Sequence, residues 1–155
     1  MLFLTQILPE VSAVAFEKTA LVVDDEEKIA EMVAAVLRVE GFQVCTATSG
    51  LQGYSSYFSD PTCWVVTDVE MPGLDGIEMV HCIRVVNPEV KVIYMTGAID
   101  AHRVALKKEG RDHAANILRK PFSYDILVSQ MTAPQNSIST LLWVDPSVKP
   151  AVKGA

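Results

Sequence analysis

Side chains able to carry chemistry follow apolar runs at four points of this 155-residue chain. The run TALVVDD ends in Asp24 and Asp25, and the run CWVVTD ends in Asp68. The run VKVIYMT ends in Thr96, and AANILRK ends in Lys120. Carboxylate oxygens are the ligands that Mg²⁺ (or Mn²⁺) prefers, and an aspartate can act as a nucleophile that forms an acyl phosphate. These residue types therefore indicate metal-assisted phosphoryl chemistry, provided that the fold brings them together.

The elements that would position these side chains alternate along the chain between apolar strands and segments of helical periodicity. The pattern predicts strands at 19–25, 42–48, 63–68, 90–96 and 114–120, and helices at 26–40, 50–58, 76–86, 101–109 and 123–131. Gly41 and Gly110 are expected to end the first and fourth helices, and Ser123 is expected to cap the last one. Strands that are apolar throughout and separated by helices are typical of a parallel sheet covered on both faces. The predicted fold class is α/β, a doubly wound five-stranded parallel sheet.

In such a sheet, ligands bind at the carboxyl ends of the strands, near the point where the strand order reverses. Asp24, Asp25 and Asp68 would meet there, where they would repel one another and raise one another's pKa values. A divalent cation removes that repulsion, and Lys120 adds a second positive charge. We therefore predict that Asp68 is a phosphoryl acceptor and that Thr96 donates its hydroxyl to a phosphoryl oxygen.

Composition excludes several other classes of function. The formal net charge of −6 and the lack of a basic block argue against a nucleic-acid or anionic-membrane binder. No run approaches the roughly 20 apolar residues of a membrane helix. The three widely spaced cysteines are expected to be reduced core thiols of a cytoplasmic protein: Cys45, Cys63 and Cys82.

The predicted domain occupies 19–131, flanked by an apolar extension at 1–18 and a Pro-, Ser- and Thr-rich extension at 132–155 that is too short for a separate output domain. In the first extension, Leu4, Ile7 or Leu8, Val11 and Val14 lie at helical spacing, although Pro9 would restrict or kink the helix. We expect this stripe either to dock on the domain or to mediate self-association into a homodimer.

The motifs VVDDE, TDVEMPGLDG, MTG and RKPF resemble, in order and spacing, those of the receiver domain of two-component response regulators. The resemblance covers 19–131. It implies a flavodoxin-like sheet of strand order 2-1-3-4-5 and phosphorylation of Asp68 by a histidine kinase or a phosphotransfer protein. It also implies that Asp25 binds Mg²⁺ directly, that Asp24 does so mainly through water, and that the backbone carbonyl of Glu70 is a further ligand.

The resemblance also assigns the residues of the switch. It implies that Thr96 is the switch hydroxyl, that Lys120 contacts the phosphoryl group, and that the peptide bond before Pro121 is cis. Ile117 stands where the family has its switch aromatic, so the readout cannot be a Tyr or Phe ring swinging inward at that position. No helix-turn-helix follows residue 131, and output is therefore expected through contacts with a downstream protein.

Other interpretations of the same residues remain open at this point. An acidic pair after a strand is often only the start of a helix, where the helix dipole favours carboxylates. A metal-dependent phosphatase with an aspartate nucleophile is disfavoured. Phosphatases of the haloacid dehalogenase type have a second Asp two residues after the nucleophile, and this chain has Glu70 at that position. A constitutive interaction module that keeps the fold but no longer signals is suggested by Ile117. The isolated His81, His102 and His113 are expected to be surface or helix-face residues.

Overall fold

The computed structural model describes residues 17–132, which form a parallel sheet with helices on both faces. The sheet has five strands in the order β2-β1-β3-β4-β5, which confirms the predicted fold class and strand order. The strands are β1 (Thr19–Val23), β2 (Gln43–Ala47), β3 (Trp64–Asp68), β4 (Lys91–Thr96) and β5 (Ala115–Arg119). The helices are α1 (Glu27–Val39), α2 (Gly50–Ser59), α3 (Gly76–Val86), α4 (Arg103–Asp112) and α5 (Tyr124–Thr132).

Each face of the sheet carries its own apolar core, and this explains why the central strands lack polar alternation. Alternate residues of one strand face opposite cores: Leu21 and Val23 of β1 pack with α2, α3 and α4. Ala20 and Val22 of the same strand pack with α1 and α5 on the other face. Because β1, β3 and β4 are covered on both sides, their carboxyl ends are held rigidly at one edge of the sheet.

Local signals set two of the helix boundaries. Helix α1 is followed by Gly41, whose φ of +88° lies in the left-handed region that a glycine adopts without strain. Helix α3 begins with a capping box, in which the Asp75 carboxylate accepts from the backbone N–H of Glu78 and the Glu78 carboxylate accepts from the N–H of Asp75. The start of α3 at Gly76 therefore follows from sequence alone.

The fourth helix differs from its prediction at both ends. The segment Ile99–His102 forms a 3₁₀ turn, and α4 runs from Arg103 through Gly110 to Asp112. The prediction that Gly110 ends this helix is therefore wrong. A glycine inside a helix costs only about 1 kcal/mol relative to alanine. Burial of the apolar Leu106 side chain and the hydrogen bonds of the buried Glu109 carboxylate, both in the same helix, offset that cost.

The prediction that all three cysteines are core thiols is wrong in part. Cys82 is exposed, so only Cys45 and Cys63, which are half-buried, come near to being core thiols. Burial raises the pKa of both of these thiols. The interpretations of the two extensions, including the stripe of Leu4, lie outside the described residues except at 17, 18 and 132. Among residues 17–132, none of the helices has the length and apolarity needed to cross a membrane.

Candidate functional site

Three carboxylates meet at the carboxyl edge of the sheet. Asp68 is the last residue of β3, and Asp24 follows β1, which pairs with β3 so that Val23 lies opposite Thr67. One oxygen each of Asp24, Asp25 and Asp68 lies within 4.8 Å of the others. Asp24 and Asp68 are buried, whereas Asp25 is exposed. The structure thus brings together the three acids that the sequence placed at the ends of two separate strands.

Lys120 reaches this cluster from the end of β5. Its Nζ lies 2.9 Å from Asp24 Oδ2 and 3.2 Å from Asp68 Oδ1. Its backbone N–H donates to the Thr96 carbonyl, and the peptide bond to Pro121 is cis, as the resemblance implied. Burial works against the charged ammonium, but the contacts with Asp24 and Asp68 outweigh it and raise the pKa of Lys120. The lysine therefore stays cationic between two of the three acids.

The electrostatics of Asp68 are unusual for a carboxylate. Burial, opposed by Lys120 and reinforced by the charges of Asp24 and Glu70, raises the pKa of Asp68 to about 7. One ammonium is thus insufficient to hold all three acids ionised at neutral pH. A hard divalent cation among the carboxylate oxygens would supply the missing positive charge, and three carboxylates are a donor set that suits Mg²⁺. The residues present fit such an ion.

Thr96 is engaged by a side chain that the sequence did not connect with it. The Thr96 hydroxyl donates to the Glu70 carboxylate and accepts from the backbone N–H of Ala98 at 2.9 Å. His102 Nε2 lies 3.3 Å from Glu70 Oε1, a contact that the sequence did not predict. No local signal joins these residues, because they meet only through the loops after β3 and β4. In this structure, Glu70 holds the hydroxyl that a phosphoryl group would need.

The loop after Asp68 is fixed by a close approach of backbone to backbone. The Gly76 N–H donates to the Val69 carbonyl at 3.0 Å, and a Cβ added at Gly76 would lie 2.0 Å from the Asp68 carbonyl oxygen. Only glycine fits there, and Gly73 adopts a φ of +75° in the same loop. The loop therefore holds Glu70, two residues after Asp68, with its carboxylate on the Thr96 hydroxyl.

Ile117 lies in the middle of β5, directly opposite Tyr94 of β4. It is half-buried and packs against the same core as Tyr94. No sequence motif marks Tyr94, which is fully buried and whose hydroxyl donates to Glu109 of α4. The only sequence feature that points to Tyr94 is its polar hydroxyl within a largely apolar strand. His81 is exposed on α3, as the sequence predicts for a helix-face residue, and it also contacts Glu109.

Comparison with known proteins agrees with this geometry. The sequence profile of the response regulator receiver domain matches residues 20–132. The probable transcriptional regulatory protein TcrX of Mycobacterium tuberculosis is 34% identical over 117 residues, which cover 74% of this chain and 48% of the relative. Sporulation initiation phosphotransferase F of Bacillus subtilis is 32% identical over 107 residues, covering 68% of this chain and 83% of the relative. The chain spans about half the length of the transcriptional regulators it matches.

Solved structures agree as well. The response regulator protein TrrA from Thermotoga maritima, crystallised in complex with Mg²⁺-BeF, is 33% identical, with a TM-score of 0.63 and coverage of 73% of this chain and 95% of that one. A response regulator receiver domain protein from Clostridium thermocellum is 28% identical, with a TM-score of 0.64, and covers 73% and 90%. With the family profile matching most of the chain, these findings show that the chain belongs to the response regulator receiver domain family.

Proposed function

We propose that this chain is a phosphorylation-dependent signalling switch, in which Asp68 accepts a phosphoryl group from a histidine kinase or a histidine phosphotransfer protein. The observation that carries the proposal is the position of the Asp68 carboxylate, next to two further aspartates and 3.2 Å from the Lys120 ammonium. The Lys120 ammonium supplies positive charge where a phosphoryl group would add negative charge, and the three carboxylates are suited to hold a cation beside it. Output then passes through contacts with a downstream protein.

The proposed transfer forms one bond and breaks another. An Asp68 carboxylate oxygen attacks phosphorus, and the bond from phosphorus to the donor's imidazole nitrogen breaks, with its electron pair leaving on that nitrogen. Lys120 compensates the charge of the phosphoryl oxygens. The Thr96 hydroxyl leaves Glu70 and donates to one of those oxygens. The attacking carboxylate must be ionised, and the raised pKa of Asp68 therefore makes additional positive charge necessary at neutral pH.

A cation is the proposed source of that charge. We propose that Asp24, Asp25, Asp68 and the backbone carbonyl of Glu70 hold Mg²⁺ or Mn²⁺. When bound, the ion would keep the carboxylates ionised and neutralise charge on the transferring oxygens. Support comes from the three converging carboxylates and from the Mg²⁺ named in the TrrA complex.

The comparisons also bear on the kind of partner. One relative is named a phosphotransferase of sporulation initiation, and the chain covers 83% of it. That likeness supports transfer of phosphoryl groups between proteins. Several other relatives are named transcriptional regulators and are about twice as long as the matched part, so regulation of transcription is a property of those whole proteins. For this chain we propose a protein target rather than nucleic acid.

The proposal is tested with small phosphoryl donors. Incubation with Mg²⁺ and acetyl phosphate or phosphoramidate should add one phosphoryl group, stable in acid and labile in base, as measured by intact mass. Asp68→Ala should give no adduct. Asp60→Ala is the matched control, because Asp60 is an exposed aspartate at the end of α2, and it should react like the wild type. Absence of the adduct on the wild type would refute the switch.

Two alternatives predict other results in the same assay. Rapid multiple turnover of free phosphate esters would instead identify a metal-dependent phosphatase. A constitutive interaction module, which Ile117 suggests, would bind its partner equally well with and without phosphorylation. Measuring partner affinity in both states separates that module from a switch.

A further inference from the structure

A buried polar cluster lies outside the phosphoryl-acceptor site and joins three elements of the fold. We call Tyr94, Glu109, Arg84 and His81 the Glu109 cluster. The Tyr94 hydroxyl donates to Glu109 Oε2 at 2.8 Å, and His81 Nε2 lies 2.8 Å from Glu109 Oε1. Arg84 Nη2 lies 3.5 Å from Glu109 Oε2. The cluster therefore connects β4, through Tyr94, with α3, through His81 and Arg84, and with α4, through Glu109.

Glu109 is one of the two buried residues with which α4 packs against the rest of the protein. Of the residues of α4, only Leu106 and Glu109 are buried, and Glu109 is 2% exposed. A carboxylate buried to this degree is costly unless hydrogen bonds or opposite charges compensate it. The position of α4 thus depends on which partners Glu109 holds. A helix attached by an apolar side chain alone would lack this dependence.

Arg84 does not receive the contacts that a buried guanidinium needs. Its side chain is 5% exposed, and its Nε, Nη1 and Nη2 have no hydrogen-bond partner among the described residues. The Glu109 carboxylate stands nearest, but 3.5 Å is too long for a strong hydrogen bond. Unpaired buried donors of this kind call for an explanation. A small shift of α4 toward α3 would let Glu109 leave Tyr94 and pair with Arg84 through two hydrogen bonds.

The cluster is also connected to the site at the sheet edge. Tyr94 precedes Thr96 by two residues in β4, so both side chains point to the same face of the sheet. The 3₁₀ turn Ile99–His102 leads from the end of β4 directly into α4, and its His102 contacts Glu70, which holds Thr96. If the Thr96 hydroxyl moved from Glu70 to a phosphoryl group, the change would reach α4 by two routes. One route runs along β4 to Tyr94 and Glu109, and the other runs from Glu70 through His102 and the 3₁₀ turn.

We propose that the Glu109 cluster is the readout linkage of this chain, with Glu109 bound to Tyr94 when Asp68 is unmodified and to Arg84 when Asp68 is phosphorylated. The proposal rests on the proposed function. Ile117 stands where the family has its switch aromatic, and the Glu109 cluster, which includes Tyr94 directly opposite Ile117, takes over the role of that aromatic. Thr96 held by Glu70 marks the described state as the unmodified one. The Tyr94 bond then stabilises that state, and the Arg84 bond stabilises the other.

Reciprocal coupling makes the linkage measurable at the phosphoryl site. Tyr94→Phe removes only the hydroxyl bond of the unmodified state, and it should tighten the binding of beryllofluoride with Mg²⁺ by about three- to tenfold. Arg84→Met removes the proposed partner of the modified state and should weaken that binding by a similar factor. Affinities are measured by calorimetric titration. Opposite signs are not expected of two substitutions that merely damage the fold.

The control is Tyr57→Phe, which removes a buried hydroxyl that accepts a hydrogen bond from Asn87 and has no contact with Glu109. It should leave the affinity for beryllofluoride unchanged. Hydrogen exchange across 103–112 gives a second readout: beryllofluoride should change it in the wild type, and this change should be reduced in both cluster variants but not in Tyr57→Phe. Thermal unfolding of each variant verifies that the protein remains folded.

The two levels of the proposal fail differently. If the wild type does not bind beryllofluoride with Mg²⁺, the proposed function is wrong. Suppose instead that the wild type binds beryllofluoride, but Tyr94→Phe and Arg84→Met have the same beryllofluoride affinity and the same hydrogen exchange across 103–112 as Tyr57→Phe. The linkage through Glu109 is then wrong, while the proposed function as a switch is unaffected. Shifts of the same sign in both cluster variants would also overturn the exchange of Glu109 between two partners.

Discussion

Replacement of Asp68 by asparagine should stabilise the metal-free protein at pH 8. The pKa of Asp68 is raised from 3.8 to about 7 in the folded protein. Folding therefore favours the protonated carboxyl, and the unfolded chain binds fewer protons between these two values. Stability should fall as the pH rises through this window, and the whole loss is present above pH 7. Asparagine is neutral at every pH and escapes that loss.

The size of the effect follows from the shift. About three pKa units at 1.36 kcal/mol each give a ceiling of about 4 kcal/mol at pH 8. That ceiling already includes the attraction of Lys120, which opposes the shift. Relaxation of the folded site around the charge lowers the actual cost of ionising Asp68, so we expect a gain of about half the ceiling, about 2 kcal/mol. For a chain of this length, that gain corresponds to a rise in melting temperature of about 4–8 °C. Near pH 4 the advantage should disappear.

The assay is thermal unfolding in EDTA at pH 4, 5, 6, 7 and 8, with Asp60→Asn as the control for an exposed aspartate. Added Mg²⁺ should raise the melting temperature of the wild type more than that of Asp68→Asn, because a cation relieves the repulsion among three carboxylates. If Asp68→Asn in EDTA at pH 8 is no more stable than the wild type, the reasoning about buried charge in this site is refuted.

Three further results are expected. Glu70→Ala should tighten beryllofluoride binding by about three- to tenfold, because it frees the Thr96 hydroxyl; unchanged or weaker binding in calorimetry would contradict this. Gly110→Ala should stabilise α4 by about 0.5–1 kcal/mol. Gly53→Ala should cost about 1–3 kcal/mol, because its Cβ would lie 2.8 Å from Cγ2 of the stiff Val23 side chain as well as 2.7 Å from Met79 Sδ; urea unfolding that reverses this order would disprove both. Asp75→Ala should lose about 1 kcal/mol with the capping box, and equal urea midpoints would count against it.

Much of this molecule is determined by local sequence. The five strands are predicted because uniformly apolar runs fit a sheet covered on both faces, and the start of α3 at Gly76 follows from Asp75 and Glu78. The chemical residues of the site are also predicted, because strand ends in a parallel sheet converge at one edge. Asp24, Asp68 and Lys120 could be named as neighbours before any distance was known.

Tertiary structure alone decided the contacts that modulate this site. Whether Gly110 ends a helix depended on the burial of Leu106 and Glu109, which no local propensity contains. The contacts of Glu70 with Thr96 and of Tyr94 with Glu109 join residues 26 and 15 positions apart in loops, strands and helices that only packing brings together. Periodicity and turn signals report short-range preferences of the backbone. Side-chain partners across elements depend on how those elements pack. The sequence could therefore predict which acids and which lysine meet at the sheet edge, but not that Glu70 contacts Thr96 or that Tyr94 contacts Glu109.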